Sequence, residues 1–301
     1  MISRLLLHFK KIRYFKNGKT YLKDGVYYLD GQSFYQLNSN RKDIKPWNKV
    51  KIQKKNKLYS TEYSSGIYVV GQYKAKFLFK DYIVFFVYSR KRFCETMEKY
   101  NSYVSFITYD VASYSFDVSK KMIATTMING ERHNDDSHFN AFINKICEQY
   151  LPSKIYQKKD INNFKNIPFF IQHGDCKNSN IIWQGNKPIL IDLEAIDSYP
   201  IFYDLFYYIF ITKKENTTEV LDDIRTSIIN VLYKIKSNCD FDPLDYYLSC
   251  YFAFLCNYIS KKCSSFVAKF YLGWINYITR SDYPLLNKEI NKAKKLVRKI
   301  R

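Results

Sequence analysis

Short runs of hydrophobic and polar residues alternate through the first 128 residues of the chain, and turn residues separate these runs. Two Asp-Gly pairs stand between β-prone runs, at 24–25 and 30–31, and this dipeptide favours a hairpin because glycine accepts positive φ. The pattern predicts a β-meander over about 18–37 and further strands over 58–70, 74–79, 82–88, 103–111 and 122–128. The first part of the chain is therefore predicted to be mainly antiparallel sheet.

One helix interrupts the predicted strands. From 90 to 106, apolar residues recur every three or four positions, as they do along one face of a helix: Phe93, Met97, Tyr100 and Val104. Ser89 comes directly before this run and can cap the first turn.

Helical periodicity prevails after Gly130. A helix is predicted over 137–151, with Asp136 or Ser137 as its N-cap and Pro152 as its end. Further helices are predicted over 203–212, 218–236, 243–260, 264–281 and 285–301. This order of strands and then helices predicts an α+β protein with two lobes, a sheet lobe over 1–130 and a helical lobe over 131–301.

The segment 169–205 carries the candidate chemistry. Its two apolar runs lead to the carboxylates Asp175 and Asp192, and between them lie Asn180, a short apolar strand and a turn at Gly185. Two short strands joined by that turn would bring Asp192 back beside Asn180. Carboxylate and amide oxygens are the ligands that Mg²⁺ prefers, and phosphoryl transfer needs a metal clamp, a group that orients the attacking hydroxyl, and a cation. The segment therefore predicts a phosphotransferase site.

Three motifs in this segment resemble those of the aminoglycoside phosphotransferase and choline kinase family, a branch of the protein-kinase-like fold. His-Gly-Asp at 173–175, followed by four residues and Asn180, is similar to the catalytic loop of that family. Ile-Asp-Leu-Glu at 191–194 resembles the metal-binding motif, and Tyr-Asp-Leu at 203–205 resembles the start of the next helix. The direct resemblance covers about 171–206.

The resemblance implies a protein-kinase-like fold, ATP and Mg²⁺ as cofactors, and a role for each matching residue. Asp175 would be the catalytic base or hydroxyl orienter, and Asn180 and Asp192 would hold Mg²⁺ beside the nucleotide. Lys177 would supply a cation at the γ-phosphate, although an exposed loop lysine without a role fits its position equally well. The resemblance also implies roles for the other motif residues. His173 and Asp204 would support the catalytic loop, and Glu194 would lie near the metal or the acceptor.

The first lobe departs from the family pattern. No glycine-rich phosphate loop is evident, and only 64–66 and 70–72 are candidates. The strand over 82–88 has phenylalanine where the family has a nucleotide-binding lysine, so Lys74, Lys76 or Lys80 on the preceding run would have to replace it. Glu95 and Glu98 are candidates for the helix glutamate that pairs with this lysine, and Glu98 is included among the nucleotide-binding residues.

Charge and cysteine content bear on partners and location. Lys and Arg number 48 against 28 Asp and Glu, a net charge of +20. This excess fits an anionic or membrane-linked acceptor, but a coding bias toward lysine would also produce it. The 7 cysteines form no C-x-x-C pair, which favours free thiols in a reducing compartment. No apolar run reaches the length of a membrane span, so the cytoplasm, or its membrane surface, is the expected location.

We therefore expect an enzyme that moves the γ-phosphate of ATP to a hydroxyl of a small molecule or glycan. A protein kinase and a catalytically weak pseudokinase scaffold are the alternatives. Gly174 stands where protein kinases carry arginine, and no long activation segment lies between Glu194 and Asp204, which argues against the first. A nucleic-acid-binding protein is supported only by the charge, since aromatic stacking residues are few in the basic stretch 38–57.

Overall fold

A computed structural model of the chain describes residues 16–17, 20–21, 25–30, 33–37, 47–51, 65–70, 74–78, 82–87, 89–104, 110–119, 121–133, 135–150, 157–212, 217–235, 242–262 and 283–299. The chain divides into two compact units. One consists of Met1–Glu98 and Ala112–Ile128, and the other of Lys99–Val111 and Asn129–Arg301.

Strands dominate the first unit and helices the second. The strands of the described residues are β1 Lys16–Asn17, β2 Thr20–Tyr21, β3 Gly25–Asp30, β4 Ser33–Leu37, β5 Trp47–Lys51, β6 Ser65–Val70, β7 Lys74–Leu78, β8 Tyr82–Val87, β9 Asp110–Val111, β10 Tyr114–Asp117, β11 Met122–Thr126, β12 Gln157–Ile161, β13 Phe164–Gln172, β14 Ile181–Gln184, β15 Lys187–Leu190 and β16 Asp197–Pro200. The helices are α1 Arg90–Val104, α2 Asp136–Glu148, α3 Tyr203–Thr212, α4 Thr217–Asp223, α5 Arg225–Lys234, α6 Pro243–Lys262 and α7 Pro284–Lys299. The predicted α+β class is confirmed.

The first unit contains an antiparallel sheet in the order β10-β11-β8-β7-β6-β3-β4-β5. The hairpin predicted at Asp30-Gly31 joins β3 to β4, with Asp30 opposite Ser33. Phe85 and Val87 of β8 pack with Ile123 and with Phe93 of α1, so this helix covers one face of the sheet. Alternating apolar residues thus build this sheet as the sequence pattern predicts. The meander predicted over 18–37 is wrong at its start, because β2 pairs with β1 in a separate sheet and β3 pairs with β4 and β6.

Two small sheets of the second unit position the candidate site. In one, β13 lies between β12 and β16 and pairs antiparallel with both. In the other, the hairpin β14–β15 places Ile181 opposite Leu190, and β15 pairs in parallel with β9. The catalytic-loop residues 173–180 connect β13 to β14, so they leave one sheet and enter the other.

Three predictions about where helices begin and end need correction. The strand predicted over 103–111 is wrong at Tyr103, because α1 continues to Val104 and buries the Tyr103 ring on its apolar face. The cap of α2 is Asp135, whose carboxylate accepts from the His138 N–H, and not Asp136 or Ser137. The helix predicted over 218–236 is two helices, α4 and α5, separated at Ile224.

The other predicted helices stand close to their observed bounds. Helix α3 has the bounds that the sequence predicts, Tyr203–Thr212. Helix α6 begins at the predicted Pro243 and continues two residues beyond the predicted end, and α7 begins one residue before its predicted start. The helix predicted over 264–281, the amino-terminal residues 1–15 and Lys80 lie outside the described residues. Among the described helices, none combines the length and hydrophobicity needed to cross a bilayer.

The described cysteines form no disulfide, as expected from the sequence: Cys94, Cys147, Cys176, Cys250 and Cys256. Burial raises the pKa of Cys147 to about 12 and that of Cys256 to about 11, so both thiols stay protonated near neutral pH. Cys239 and Cys263 lie outside the described residues.

Candidate active site

The catalytic loop is anchored by the carboxylate of Asp204, in the first turn of α3. Its Oδ2 accepts from the N–H of His173 at 2.7 Å and its Oδ1 from the N–H of Gly174 at 2.8 Å. Burial raises the pKa of the Asp204 carboxyl above its ordinary value of 3.8, while the two N–H donors oppose the rise. The side chain is fully buried, so the two bonds tie loop and helix together away from water. This arrangement agrees with the supporting role implied for Asp204.

A second buried contact joins the same helix to the end of β13. Gln172 accepts at Oε1 from the Tyr150 hydroxyl at 2.6 Å and from the Asp204 N–H at 3.1 Å. Its amide nitrogen donates to the carbonyls of Tyr199 and Pro200 at 3.1 and 2.8 Å. The sequence analysis missed Gln172 and Tyr150, although a glutamine that ends an apolar strand is a local signal for a satisfied polar group.

His173 supports the loop through both ring nitrogens. Its Nε2 lies 2.9 Å from the Ile191 carbonyl, which can only accept, and its Nδ1 accepts from the Asp175 N–H at 3.2 Å. The two contacts together define the neutral tautomer with the proton on Nε2. The ring is fully buried and meets the edge of Tyr103, so His173 connects the loop to the residue before Asp192.

Gly174 occupies a backbone position that a side chain cannot share. Its φ is +80°, in the left-handed region, and an added Cβ would lie 2.5 Å from the Ala195 carbonyl and 2.5 Å from the Tyr199 hydroxyl. That hydroxyl donates to the same carbonyl at 2.7 Å. Both the backbone angle and the close neighbours therefore require glycine here.

Three of the predicted site residues meet at the carboxylate of Asp175. The Lys177 ammonium lies 3.0 Å from Oδ1 and 2.7 Å from Oδ2, and the Asn180 amide nitrogen donates to Oδ2 at 3.0 Å. The Tyr207 hydroxyl donates to Oδ1 at 2.7 Å, a contact that the sequence analysis missed. The Asp175 side chain is 27% exposed, so it is held by these donors and still reaches solvent.

Asn180 lies in the short 3₁₀ turn Asn178–Asn180 and is buried. Its amide nitrogen also donates to the Asp175 carbonyl at 2.9 Å. Since the nitrogen is directed toward Asp175, the amide oxygen is the atom that can ligate a cation.

Asp192 lies two residues after the end of β15 and is exposed. The N–H of Ile191 donates to the Asn180 carbonyl at 2.9 Å, so the hairpin returns the chain to Asn180 as predicted. Asp192 has φ 62° and ψ 58°, a left-handed conformation that is uncommon for residues other than glycine, although aspartate tolerates it. Such backbone conformations concentrate at functional sites. The side chain of Glu194 lies outside what the structure describes.

The nucleotide-binding residues proposed in the first unit stay predictions. Glu98 is exposed on α1, and Glu95 pairs with Lys91 at 3.9 Å on the same helix. The ammonium groups of Lys74 and Lys76 lie 4.4 and 5.5 Å from the ring centre of Phe85. Of the candidate phosphate loops, residues 64 and 71–72 lie outside the described part of the chain.

A second cluster of ionisable side chains lies at the start of α2. The rings of His133 and His138 stack at 3.9 Å with an angle of 8°, and Asp135 lies 2.8 Å from Nδ1 of His138 and 3.7 Å from Nδ1 of His133. The pKa of Asp135 is lowered, first by the His138 N–H and then by Ser137 and the His138 ring. The ring nitrogens could in principle ligate a metal, but parallel rings direct their lone pairs along parallel planes. As they stand, the two histidines do not converge on one ion.

The sequence matches no curated protein. Three solved structures are similar in shape at low identity. They are an amicoumacin kinase in complex with AMP-PNP, Ca²⁺ and Ami (9% identity, 76% of this chain, 87% of that chain, TM-score 0.46), the ADP-bound aminoglycoside phosphotransferase APH(2'')-Ib (14%, 77%, 93%, 0.45), and the choline kinase LicA from Streptococcus pneumoniae (12%, 76%, 91%, 0.36).

A family model described as "Phosphotransferase enzyme family" matches residues 130–227. This range contains the anchor Asp204, the catalytic loop and the hairpin that leads to Asp192. The resemblance to the aminoglycoside phosphotransferase family is thereby confirmed over 130–227, the segment that holds every motif on which it was based.

Proposed function

We propose that the protein transfers the γ-phosphate of ATP to a hydroxyl group of a small molecule or glycan, with Asp175 as base and Mg²⁺ as the metal. The observation that carries the proposal is the position of the Asp175 carboxylate. It is held by Asn180, Lys177 and Tyr207 inside the segment that matches a phosphotransferase family.

Asp175 can accept a proton and orient a hydroxyl. Its side chain is 27% exposed, and the buried bonds of Asp204 hold the residues immediately before it. In the proposed step the acceptor hydroxyl gives its proton to the Asp175 carboxylate. The oxygen of the acceptor hydroxyl forms the new bond to the γ-phosphorus. The bond between that phosphorus and the oxygen that leaves with ADP breaks.

Asn180 and Asp192 fit a Mg²⁺ site by their donor atoms. Asn180 presents its amide oxygen because its nitrogen binds Asp175, and Asp192 follows the residue that is bonded to the Asn180 carbonyl. When bound, Mg²⁺ would neutralise charge on the phosphates of the nucleotide. Two oxygen ligands from the protein suffice, since Mg²⁺ keeps several waters and phosphate oxygens in such sites.

Lys177 supplies the positive charge in this proposal. Its ammonium binds both oxygens of Asp175, and its side chain is 34% exposed. A lysine has a flexible stem and a compact charge, so it can reach from the base toward a bound phosphate. Its contact with both oxygens of Asp175 supports this role.

The acceptor is proposed only by class. A net charge of +20 favours anionic acceptors, including membrane-linked ones that would bring the protein to the cytoplasmic side of a membrane. Residues 1–130 would contribute to nucleotide binding through Glu98, and residues 131–301 would contribute the catalytic loop and the acceptor pocket.

The experiment measures ADP release from MgATP with a panel of sugars, amino alcohols and glycan precursors. Asp175→Asn should lower turnover by about 10²- to 10⁴-fold, the usual contribution of a general base. Asp160→Asn is the matched control, since the Asp160 carboxylate also binds a lysine but lies on the exposed strand β12. If the wild type and Asp175→Asn are equally inert with every acceptor while ATP still binds, the pseudokinase alternative replaces this proposal. Transfer to a protein and to no small molecule would favour a protein kinase.

A further inference from the structure

We propose that Tyr207 is a positioning residue that fixes the orientation of the Asp175 carboxylate. The inference rests on the proposed function, because it assigns to Tyr207 a role in keeping the base aligned. The phenol hydroxyl donates to Oδ1 of Asp175 at 2.7 Å, a distance typical of a strong O–H···O⁻ bond.

Two donors from different elements hold the two oxygens of this carboxylate. Tyr207 of α3 binds Oδ1, and Asn180 of the 3₁₀ turn binds Oδ2 at 3.0 Å. The terminal torsion of an aspartate is broad and has no strong preference of its own. The plane of the Asp175 carboxylate is therefore set by these contacts.

Tyr207 is itself firmly held. Tyr207 is only 8% exposed. Its ring is nearly parallel to that of Tyr203, with 6.1 Å between the ring centres, and Tyr203 stacks on Tyr199 with 4.2 Å between the ring centres. It also lies one helical turn after Asp204, on the face of α3 that meets the loop. The helix thus binds the loop twice, at its backbone through Asp204 and at its carboxylate through Tyr207.

Tyr207 differs from Lys177 in what it can do during turnover. Lys177 binds both oxygens of Asp175 through a long, partly exposed side chain, and in the proposed function it reaches a phosphate. The Tyr207 side chain, whose ring stacks against Tyr203, cannot move with Lys177 toward the phosphate. When Lys177 moves toward a phosphate, Tyr207 and Asn180 would still hold the Asp175 carboxylate. Loss of the Tyr207 hydroxyl should therefore lower turnover and leave nucleotide binding intact.

The test uses Tyr207→Phe, which removes the hydroxyl and keeps the ring. We expect kcat to fall by roughly 10- to 100-fold, as for loss of a hydrogen bond to a charged group, while KM for MgATP stays unchanged. Tyr208→Phe is the matched control, since Tyr208 is the next residue, is also buried, and packs its ring against Phe139 and Phe142. Wild-type kcat in Tyr207→Phe would overturn the inference.

A double-mutant cycle with Asp175→Ala separates this inference from the proposed function. If Tyr207 acts through Asp175, Tyr207→Phe should not lower further the residual rate of Asp175→Ala, and the two changes should be non-additive in the free energy of unfolding. A further fall of the same size would show that Tyr207 acts elsewhere and would overturn the inference. Equal rates for the wild type and Asp175→Ala would instead reject the base, and the positioning role with it, while the coupling in unfolding would still report the contact.

Discussion

The carboxylate of Asp204 binds the backbone N–H of His173 at 2.7 Å, across 31 residues of sequence. Its other oxygen takes the N–H of Gly174, so both oxygens are used by the loop that carries Asp175. Since the carboxylate is buried, no water can replace either donor. The start of α3 and the catalytic loop therefore form one structural unit.

Asp204→Asn should destabilise this unit. An amide presents one N–H₂ group where both native partners are donors, so one backbone N–H is left buried without an acceptor. We expect the free energy of unfolding to fall by about 1–3 kcal/mol, as measured by denaturant titration. Asp197→Asn is the control, because Asp197 is 56% exposed and pairs with Lys99 at the surface, where a pair contributes about 1 kcal/mol or less. Equal effects of the two changes would contradict the anchoring role.

The pH dependence of the stability of the wild type and of Asp204→Asn tests the charge state of Asp204. Burial raises the pKa of its carboxyl above 3.8 in the folded protein, so the folded state binds the proton more tightly than the unfolded state. The stability of the wild type relative to Asp204→Asn should then be highest near pH 4 and decline as the pH rises through the folded pKa. Unfolding titrations between pH 4 and 8 measure this difference. A difference that grows with pH would show that the N–H donors outweigh burial.

Gly174→Ala should damage both stability and turnover. The added Cβ would lie 2.5 Å from the Ala195 carbonyl at a φ of +80°, and the left-handed backbone alone costs about 1–2 kcal/mol. Gly185→Ala is the matched control, because Gly185 has φ +59° and nothing within 4 Å of an added Cβ. We expect Gly185→Ala to lose only the backbone cost and to keep wild-type turnover. Similar losses of turnover in both variants would show that the close contacts at Gly174 are unimportant.

Local signals explain which elements the sequence could predict. Helix α3 was predicted with its observed bounds because a run of apolar residues begins at a recognisable motif. Strand β12 was missed because four of its five residues are exposed and polar, so it has no hydrophobic alternation. Pro168 lies within β13, a strand that pairs on both sides, and is opposite Lys158. From the sequence alone, a proline argues against a central strand, so this part of β13 is not indicated by its sequence.

The catalytic loop was predictable because its residues are close in sequence. Asp175, Lys177 and Asn180 lie within six positions and meet in space. The contacts of Tyr150 with Gln172 and of Tyr207 with Asp175 join residues 22 and 32 positions apart. No periodicity or spacing indicates such partners, because the packing of distant elements decides them: the end of α2 against the end of β13 in the first pair, and α3 against the loop in the second.

Lys177→Met should lower turnover while keeping the fold. Methionine retains most of the stem and removes the charge that lies 2.7 Å from Asp175. If this charge stabilises the transferring phosphate, kcat should fall by about 100-fold or more, as for loss of one preorganised donor at a transition state. Lys187→Met is the matched control, since Lys187 also binds an aspartate, Asp110 at 2.9 Å, but is 61% exposed. Unchanged kcat in Lys177→Met would return this lysine to a surface role.

Asp192→Asn tests the metal site without disturbing the backbone. Asparagine tolerates the left-handed conformation of this position, which has φ 62° and ψ 58°, so the variant should fold as the wild type does. It loses the negative charge that Mg²⁺ prefers, and the Mg²⁺ concentration for half-maximal turnover should rise at least about 10-fold, the smallest loss that weakened metal ligation usually causes. Chelation of the metal should abolish turnover in the wild type, and added Mg²⁺ should restore it. Asp197→Asn, which changes another exposed aspartate of the same unit, should keep the wild-type Mg²⁺ requirement. If Asp192→Asn keeps it as well, Asp192 does not hold the metal, and the Mg²⁺ part of the proposed function has to be assigned to other residues.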